Sequence, residues 1–320
     1  MLLIDSTYNS PAWIPGKHTQ TILPAFRKVK GVHYNRERIS TFDQDFLDLD
    51  WSSIGSSRLV ILSHGVEGNT YQGYMMGMTK TLNRAGWDAL AWNFRSCSGE
   101  MNNKVRFYHA GSSEDLDWVI KHALKQRKYK EIALIGFSLG GCHTLKLLGE
   151  QRNSLPSEIS KALVFSTPCD LKACVQELSF GVNRMIYLKR FLISLKNKLS
   201  IKKKQFPDLL SHLNVQQIQC FEDFDNNFTA PLWGYKNAHD YYEHCSCKQN
   251  ISDIRIPTLI INAQNDPFLH PDCNPIKECR NNAWVNLELP VEGGHLGFML
   301  TTINGHYWSE DRALEFLKTG

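Results

Sequence analysis

The residues most able to do chemistry begin with Ser138, in the segment Gly136-Phe137-Ser138-Leu139-Gly140. A serine hydroxyl is a poor nucleophile until a neighbouring base takes its proton. That base must itself be oriented, usually by a carboxylate, and the oxyanion that develops on the attacked carbonyl needs hydrogen-bond donors. Glycines two positions either side of a serine suit a tight strand-to-helix turn, where larger side chains would collide. The pattern alone is weak, because about one chain in ten of this size carries it by chance. Its position gives it weight: an apolar run at 132–137 leads straight into the serine, and a helix-compatible stretch follows.

The other parts of such a machine are found in the required order. After the apolar run at 258–262 comes Asn265-Asp266-Pro267, which puts Asp266 at the end of a strand. Gly293-Gly294-His295-Leu296-Gly297 follows the next strand and places His295 on a glycine-rich loop. Serine, then acid, then histidine is the chain order expected for a nucleophile on this kind of turn. The oxyanion donors expected are the backbone N–H of Leu139 and that of Val66, in the loop Ser63-His64-Gly65-Val66-Glu67-Gly68. His64 precedes the serine and is read as bracing that loop. His306, His270 and Asp170 are weaker candidates for base and acid. Arg95 either braces the oxyanion loop, by pairing with Glu67, or forms a structural ion pair; the structural pair is preferred.

These residues need elements to hold them. Short apolar runs at 59–62, 89–94, 132–137, 163–165 and 258–262 alternate with helix-like stretches at 73–84, 113–126 and 139–149. Apolar runs of this length bounded by turn formers suit strands buried on both faces of a parallel sheet covered by helices. Residues 32–52 read as two strands joined by a turn, 285–289 as a last strand and 308–317 as a closing helix. Ser112 or Ser113 is the candidate N-cap of the middle helix. The expectation is an α/β chain, 1–320 as a single domain, with a mostly parallel eight-stranded sheet. The alternation stops between 170 and 247, which has no convincing strand and sits where an inserted helical cap would lie.

Composition narrows the function classes. The chain has 320 residues, 42% hydrophobic and 21% charged, with a net charge of +4. That charge is too small to point to nucleic acid, and no apolar run reaches the ~20 residues that span a bilayer. The first ten residues lack the basic region of a secretory signal. Nine scattered cysteines fit reduced thiols in a cytoplasm. Cys245 and Cys247 have no second pair at metal-ligand spacing, so no metal site and no organic cofactor are expected.

Several stretches together resemble the YheT-like branch of the α/β-hydrolases, which also contains plant esterases and animal enzymes acting on phospholipids. They are Lys17-His18-Thr19-Gln20-Thr21-Ile22-Leu23-Pro24, His64-Gly65-Val66-Glu67-Gly68, Asn93-Phe94-Arg95-Ser96-Cys97-Ser98-Gly99-Glu100, Tyr108-His109-Ala110-Gly111, Thr229-Ala230-Pro231-Leu232, Ile260-Ile261-Asn262-Ala263, Asn265-Asp266-Pro267-Phe268 and Gly294-His295-Leu296-Gly297-Phe298. The resemblance implies the α/β-hydrolase fold, a Ser138–Asp266–His295 triad and hydrolysis of carboxylic esters, short- to medium-chain or lipid. Val66, Ala110 and Trp233 depart from the residues usual in that family, and none is a reacting group. An acyltransferase or thioesterase with the same triad, or a hydrolase-like binding protein without catalysis, are the alternatives.

One stretch belongs to no motif. From Leu178 to Pro207 there is no acidic residue, while eight lysines and arginines alternate with Phe180, Met185, Ile186, Leu188, Phe191, Leu192 and Leu195. It reads either as a solvated lid with its apolar face over the site, the preferred reading, or as a peripheral membrane contact.

Overall fold

The computed structural model describes residues 3–318; Met1 and Leu2 of the N-terminal stretch, and Thr319 and Gly320, lie outside them. Among the described residues nine strands form one sheet: β1 Leu3–Ile4, β2 Asn35–Ser40, β3 Phe46–Ser52, β4 Arg58–Ser63, β5 Asp88–Trp92, β6 Glu131–Phe137, β7 Ile159–Phe165, β8 Thr258–Ile261 and β9 Val285–Glu288. Their order across the sheet is β1-β9-β8-β7-β6-β4-β5-β3-β2. Only β3 runs against its neighbours, pairing antiparallel with both β2 and β5. Eight of the strands are those expected from the sequence. The ninth, β1, pairs parallel with β9 through Leu3 and Leu287, and two residues are too few to show a period of their own.

The continuous apolar runs are explained by burial on both faces. Along β4, Leu59 and Ile61 enter one core layer, with Leu116, Val119 and Ile120 of the helix Ser113–Gln126 and Leu145 and Leu148 of the helix Leu139–Gln151. Val60 and Leu62 enter the other, with Met75, Met78 and Leu82 of the helix Gly73–Arg84 and Ala313 and Phe316 of the helix Trp308–Lys318. Successive residues of a strand point to opposite faces, so a doubly covered strand has no polar side to alternate with. Ser112 holds the N-cap position of Ser113–Gln126, but its hydroxyl accepts from the His109 N–H instead of capping the helix.

Among the described residues the chain between β7 and β8 contains no strand. Its helices Leu171–Leu178 and Ala238–Cys245 send Leu171, Ala238 and Tyr241 into the main core, while the helix Lys189–Gln205, with π-helical turns at Arg184–Leu188 and Asp225–Thr229, builds an apolar cluster apart from it. There Leu192, Leu195, Leu199, Phe224 and Phe228 meet Phe107, from the loop after β5. No helix among the described residues is long and apolar enough to cross a membrane.

Arg95 does not reach Glu67. Its buried guanidinium grips Asp115 through two bonds of 2.8 and 2.7 Å and also bonds Asp43 and Asp45, at 2.7 and 3.1 Å. This is the structural ion pair, and it ties the β2–β3 turn and the helix Ser113–Gln126 to the loop after β5. Glu100, in the same loop, pairs with Arg38 of β2. Breaking a buried charge cluster costs far more than a surface pair because the stranded carboxylates stay out of water. Arg95→Met is therefore expected to lower the unfolding free energy by about 3–5 kcal/mol, read from urea midpoints. A loss below ~1 kcal/mol would show that the cluster is solvated.

Candidate active site

Ser138 follows the last residue of β6 and precedes the helix Leu139–Gln151, with φ 53° and ψ −118°. A non-glycine residue in this region is strained, and such strain persists only where the surroundings hold it. Here the Ser138 N–H donates to the Phe165 carbonyl at 2.8 Å, and the Gly141 N–H donates back to the Ser138 carbonyl at 2.9 Å. The turn is also pressed against the loop after β4. A Cβ on Gly140 would lie 2.3 Å from the Ser63 oxygen, so this position tolerates nothing larger than glycine.

That loop runs past the serine. A Cβ on Gly65 would sit 3.1 Å from that of Ser138. The Gly65 N–H donates to the Tyr74 hydroxyl at 3.0 Å, the Glu67 N–H to the Tyr108 hydroxyl at 2.9 Å, and the Gly68 N–H to the Gly65 carbonyl at 3.0 Å. Among the described residues the Val66 N–H is left without a partner. The Leu139 N–H is the first of its helix and has no acceptor within it. Both residues line the same cavity as Ser138.

His64 braces the loop. Its Nδ1 lies 2.7 Å from the Gly65 oxygen and its Nε2 3.1 Å from the Phe94 N–H, which makes Nδ1 the donor and Nε2 the acceptor. The ring is fully buried against Phe94, and burial pushes its pKa down to about 3.

Asp266 and His295 arrive from the ends of β8 and β9. His295 Nε2 stands 3.0 Å from Ser138 Oγ, and its Nδ1 stands 2.9 Å from Asp266 Oδ2 and 3.1 Å from Oδ1. With Nδ1–H donating to the buried carboxylate, Nε2 keeps its lone pair facing the serine hydroxyl. Phe268 stacks on the imidazole with ring centres 4.0 Å apart. The remaining candidates are elsewhere: Asp170 caps the helix Leu171–Leu178, His270 caps a short turn, and His306 bonds Glu310 and Asp311.

The N-terminal arm holds the histidine loop, a role not read from the sequence. Thr21 Oγ1 accepts from the His295 N–H at 2.9 Å. Gln20 Oε1 accepts from the Gly293 N–H at 3.0 Å and from Asn265 Nδ2 at 2.8 Å, and Asn265 Oδ1 accepts from the Gly294 N–H. The signal lay in Lys17-His18-Thr19-Gln20-Thr21, noted only as a shared motif.

Two spaces meet at Ser138 and His295. One, about 120 Å³, is walled by Phe107, Leu171, Leu178, Phe224, Phe228 and Trp233. The other, about 420 Å³, runs past Glu67, Ile186 and Arg190 to Phe26. Glu67 is held from the helix Lys189–Gln205: Lys198 Nζ bonds its Oε1 at 2.7 Å and Ser194 bonds its Oε2. With φ 52°, Glu67 is itself strained one residue beyond Val66.

A family profile described as the alpha/beta hydrolase fold matches residues 58–301. YheT of Escherichia coli, provisionally named an esterase, is 34% identical over 313 residues, 94% of this chain and 90% of YheT. The chain belongs to the α/β-hydrolase family. Within it, the chain falls in the YheT-like branch. The phospholipase ABHD3 of Mus musculus is 27% identical over 93% of this chain and 74% of its own. A monoacylglycerol lipase of Saccharomyces cerevisiae is 26% identical over 88% of this chain and 63% of its own. An esterase structure from Pyrococcus furiosus superposes with a TM-score of 0.60 at 20% identity, covering 90% of this chain and 91% of that one. These relatives place the chain among the carboxylic ester hydrolases.

Replacing Lys198 tests the tie between helix and loop. Lys198→Met should lower kcat roughly tenfold with KM little changed, since a displaced Val66 loop weakens transition-state contacts first. An unchanged kcat would show that Glu67 holds its conformation without the lysine.

Buried histidines give a second expectation. Burial holds His64 near pKa 3, His143 near 4 and His109 well below its ordinary value. Below pH ~6.5 the unfolded chain takes up protons that these rings refuse in the fold, so stability must fall as pH falls. The slope is up to about 4 kcal/mol per pH unit if all three contribute. His306, raised to about 9 by Glu310 and Asp311, works the other way, with its contribution lost as pH rises through that value. Urea midpoints are therefore expected to peak near neutrality, and a midpoint at pH ~5 equal to that at pH ~7 would refute this.

Proposed function

We propose that this chain hydrolyses carboxylic esters through an acyl-enzyme on Ser138. The observation that carries the reading is the hydrogen-bonded series Ser138 Oγ, His295, Asp266, placed where an apolar cavity and a second, longer groove meet. His295 Nε2 takes the hydroxyl proton as Oγ attacks the ester carbonyl, and Asp266 stabilises the imidazolium that forms. The free N–H groups of Val66 and Leu139 receive the oxyanion. The alcohol leaves with the proton from His295, and water then releases the acid by the same route in reverse roles.

The two spaces suit the two limbs of an ester. An apolar acyl chain fits the cavity walled by Phe107, Phe224 and Phe228, and the alcohol limb fits the groove beside Arg190. The helical segment 170–247 acts as a cap that supplies most of those apolar walls. Relatives named for esterase, phospholipase and monoacylglycerol lipase activity support carboxylic esters, lipid esters among them, as the substrate class, and short- to medium-chain acyl groups are the range proposed for the cavity. Nine free cysteines, eight of them buried, support a reducing, cytoplasmic compartment.

A series of nitrophenyl esters graded by chain length, run on the parent and on Ser138→Ala, tests this. The parent is expected to prefer medium acyl chains, and Ser138→Ala to lose at least ~10⁴-fold in kcat. Comparable turnover by the variant, or failure of a fluorophosphonate to label Ser138 in the parent, would overturn it.

A further inference from the structure

The groove at Ser138 opens between two segments far apart in sequence. On one side lie Pro24, Ala25 and Phe26 of the N-terminal arm; on the other, Ile186 and Arg190 of the basic stretch. His18 Nδ1, 3.1 Å from the Tyr187 hydroxyl, ties the two sides together. Phe26, which lines the groove, is 67% exposed, and Ile186, which lines it opposite, is exposed too; Phe180, 72% exposed, Val182 and Met185, 74% exposed, lie on the same segment as Ile186. Single exposed apolar side chains are ordinary, but four large ones within one seven-residue segment, 180–186, beside a groove mark a contact surface.

The charges on this segment select the partner. Arg184, Lys189 and Arg190 are exposed on the same segment as Met185 and Ile186. No acidic residue occurs between Leu178 and Pro207 to balance them. Apolar side chains that can enter acyl chains, next to cations at headgroup depth, form the pattern of an element lying in a membrane interface. A protein partner would need shaped pockets and paired polar groups, whereas a lipid surface asks only for this ordering of grease and positive charge.

We infer that the exposed segment carrying Phe180, Met185 and Ile186, with Arg184 and Lys189 on it and Phe26 across the groove, docks on an anionic phospholipid surface and turns the groove toward it. Only the use of the docked state, the direct entry of a lipid ester to Ser138, rests on the function proposed above; the docking itself does not. The basic stretch then has two faces. Leu192, Leu195 and Leu199 pack inward in the cluster with Phe107, Phe224 and Phe228, while Met185, Ile186 and their cationic neighbours meet the bilayer.

Co-sedimentation of the full chain with vesicles tests this without reading catalysis. One set is phosphatidylcholine alone; the other is equal parts phosphatidylcholine and phosphatidylglycerol, at low and high salt. Binding to the anionic set is expected to be at least ~10-fold tighter at low salt and to weaken with salt. Phe180→Ser with Met185→Ser should cut binding to both sets by ~10-fold or more. Arg184→Glu with Lys189→Glu should remove the preference for the anionic set. Both double variants should turn over a soluble short-chain nitrophenyl ester at the parent rate, which shows them folded. No binding at low salt, or binding that neither variant changes, would overturn the inference. A dimer abolished by the Phe180 and Met185 changes, with no vesicle binding, would assign the segment to a second copy. If Ser138 proves inert, sedimentation still decides the docking question.

Discussion

The structure depends on the left-handed turn at Ser138. A residue with φ 53° between a buried strand and a helix is costly on its own. It is held because its N–H is fixed by Phe165, its carbonyl by Gly141, and its flank by the Ser63 and His64 carbonyls that close on Gly140. The contact that makes glycine obligatory at 140 also brings the Gly65–Val66 backbone beside the serine. Strain and juxtaposition therefore have one cause, the side-by-side pairing of β4 with β6 in the middle of the sheet.

Around this turn the polar groups are arranged so that very few have freedom to move. His64 is neutral and bonded at both nitrogens, Tyr74 and Tyr108 occupy the N–H groups either side of Val66, and Gln20 and Thr21 fix the histidine loop. Preorganised donors cost no rearrangement as charge develops, which is where such a site gains most over water. The helical segment takes part through Lys198 and Ser194 on Glu67. The same helix thus walls the cavity and restrains the loop that carries Val66, so substrate space and electrostatics are set together.

Much of this could be read along the chain. The runs at 59–62, 132–137 and 258–262 are strands because the sheet is covered on both faces and admits no alternation. Ser138, Asp266 and His295 were legible because each follows a strand and their order is constrained. The two-residue β1 was not legible, since its only support is β9, more than two hundred residues away in sequence. Arg95 shows a subtler limit. A structural ion pair was expected there, but the choice among Asp43, Asp45, Asp115 and Glu67 depends on which carboxylates the fold brings to it.

By itself the sequence offered a candidate nucleophile, base and acid in chain order, glycines where the backbone must come close, and a cation-rich stretch without acids. Those features are local, written in residue type and short spacing. Tertiary structure decided what no spacing encodes: that Gln20 and Thr21 reach across the chain to hold His295, that Lys198 restrains Glu67, and which side of the basic helix is buried. Each depends on side chains meeting from distant elements, and only the packed sheet and its covering helices determine which ones meet.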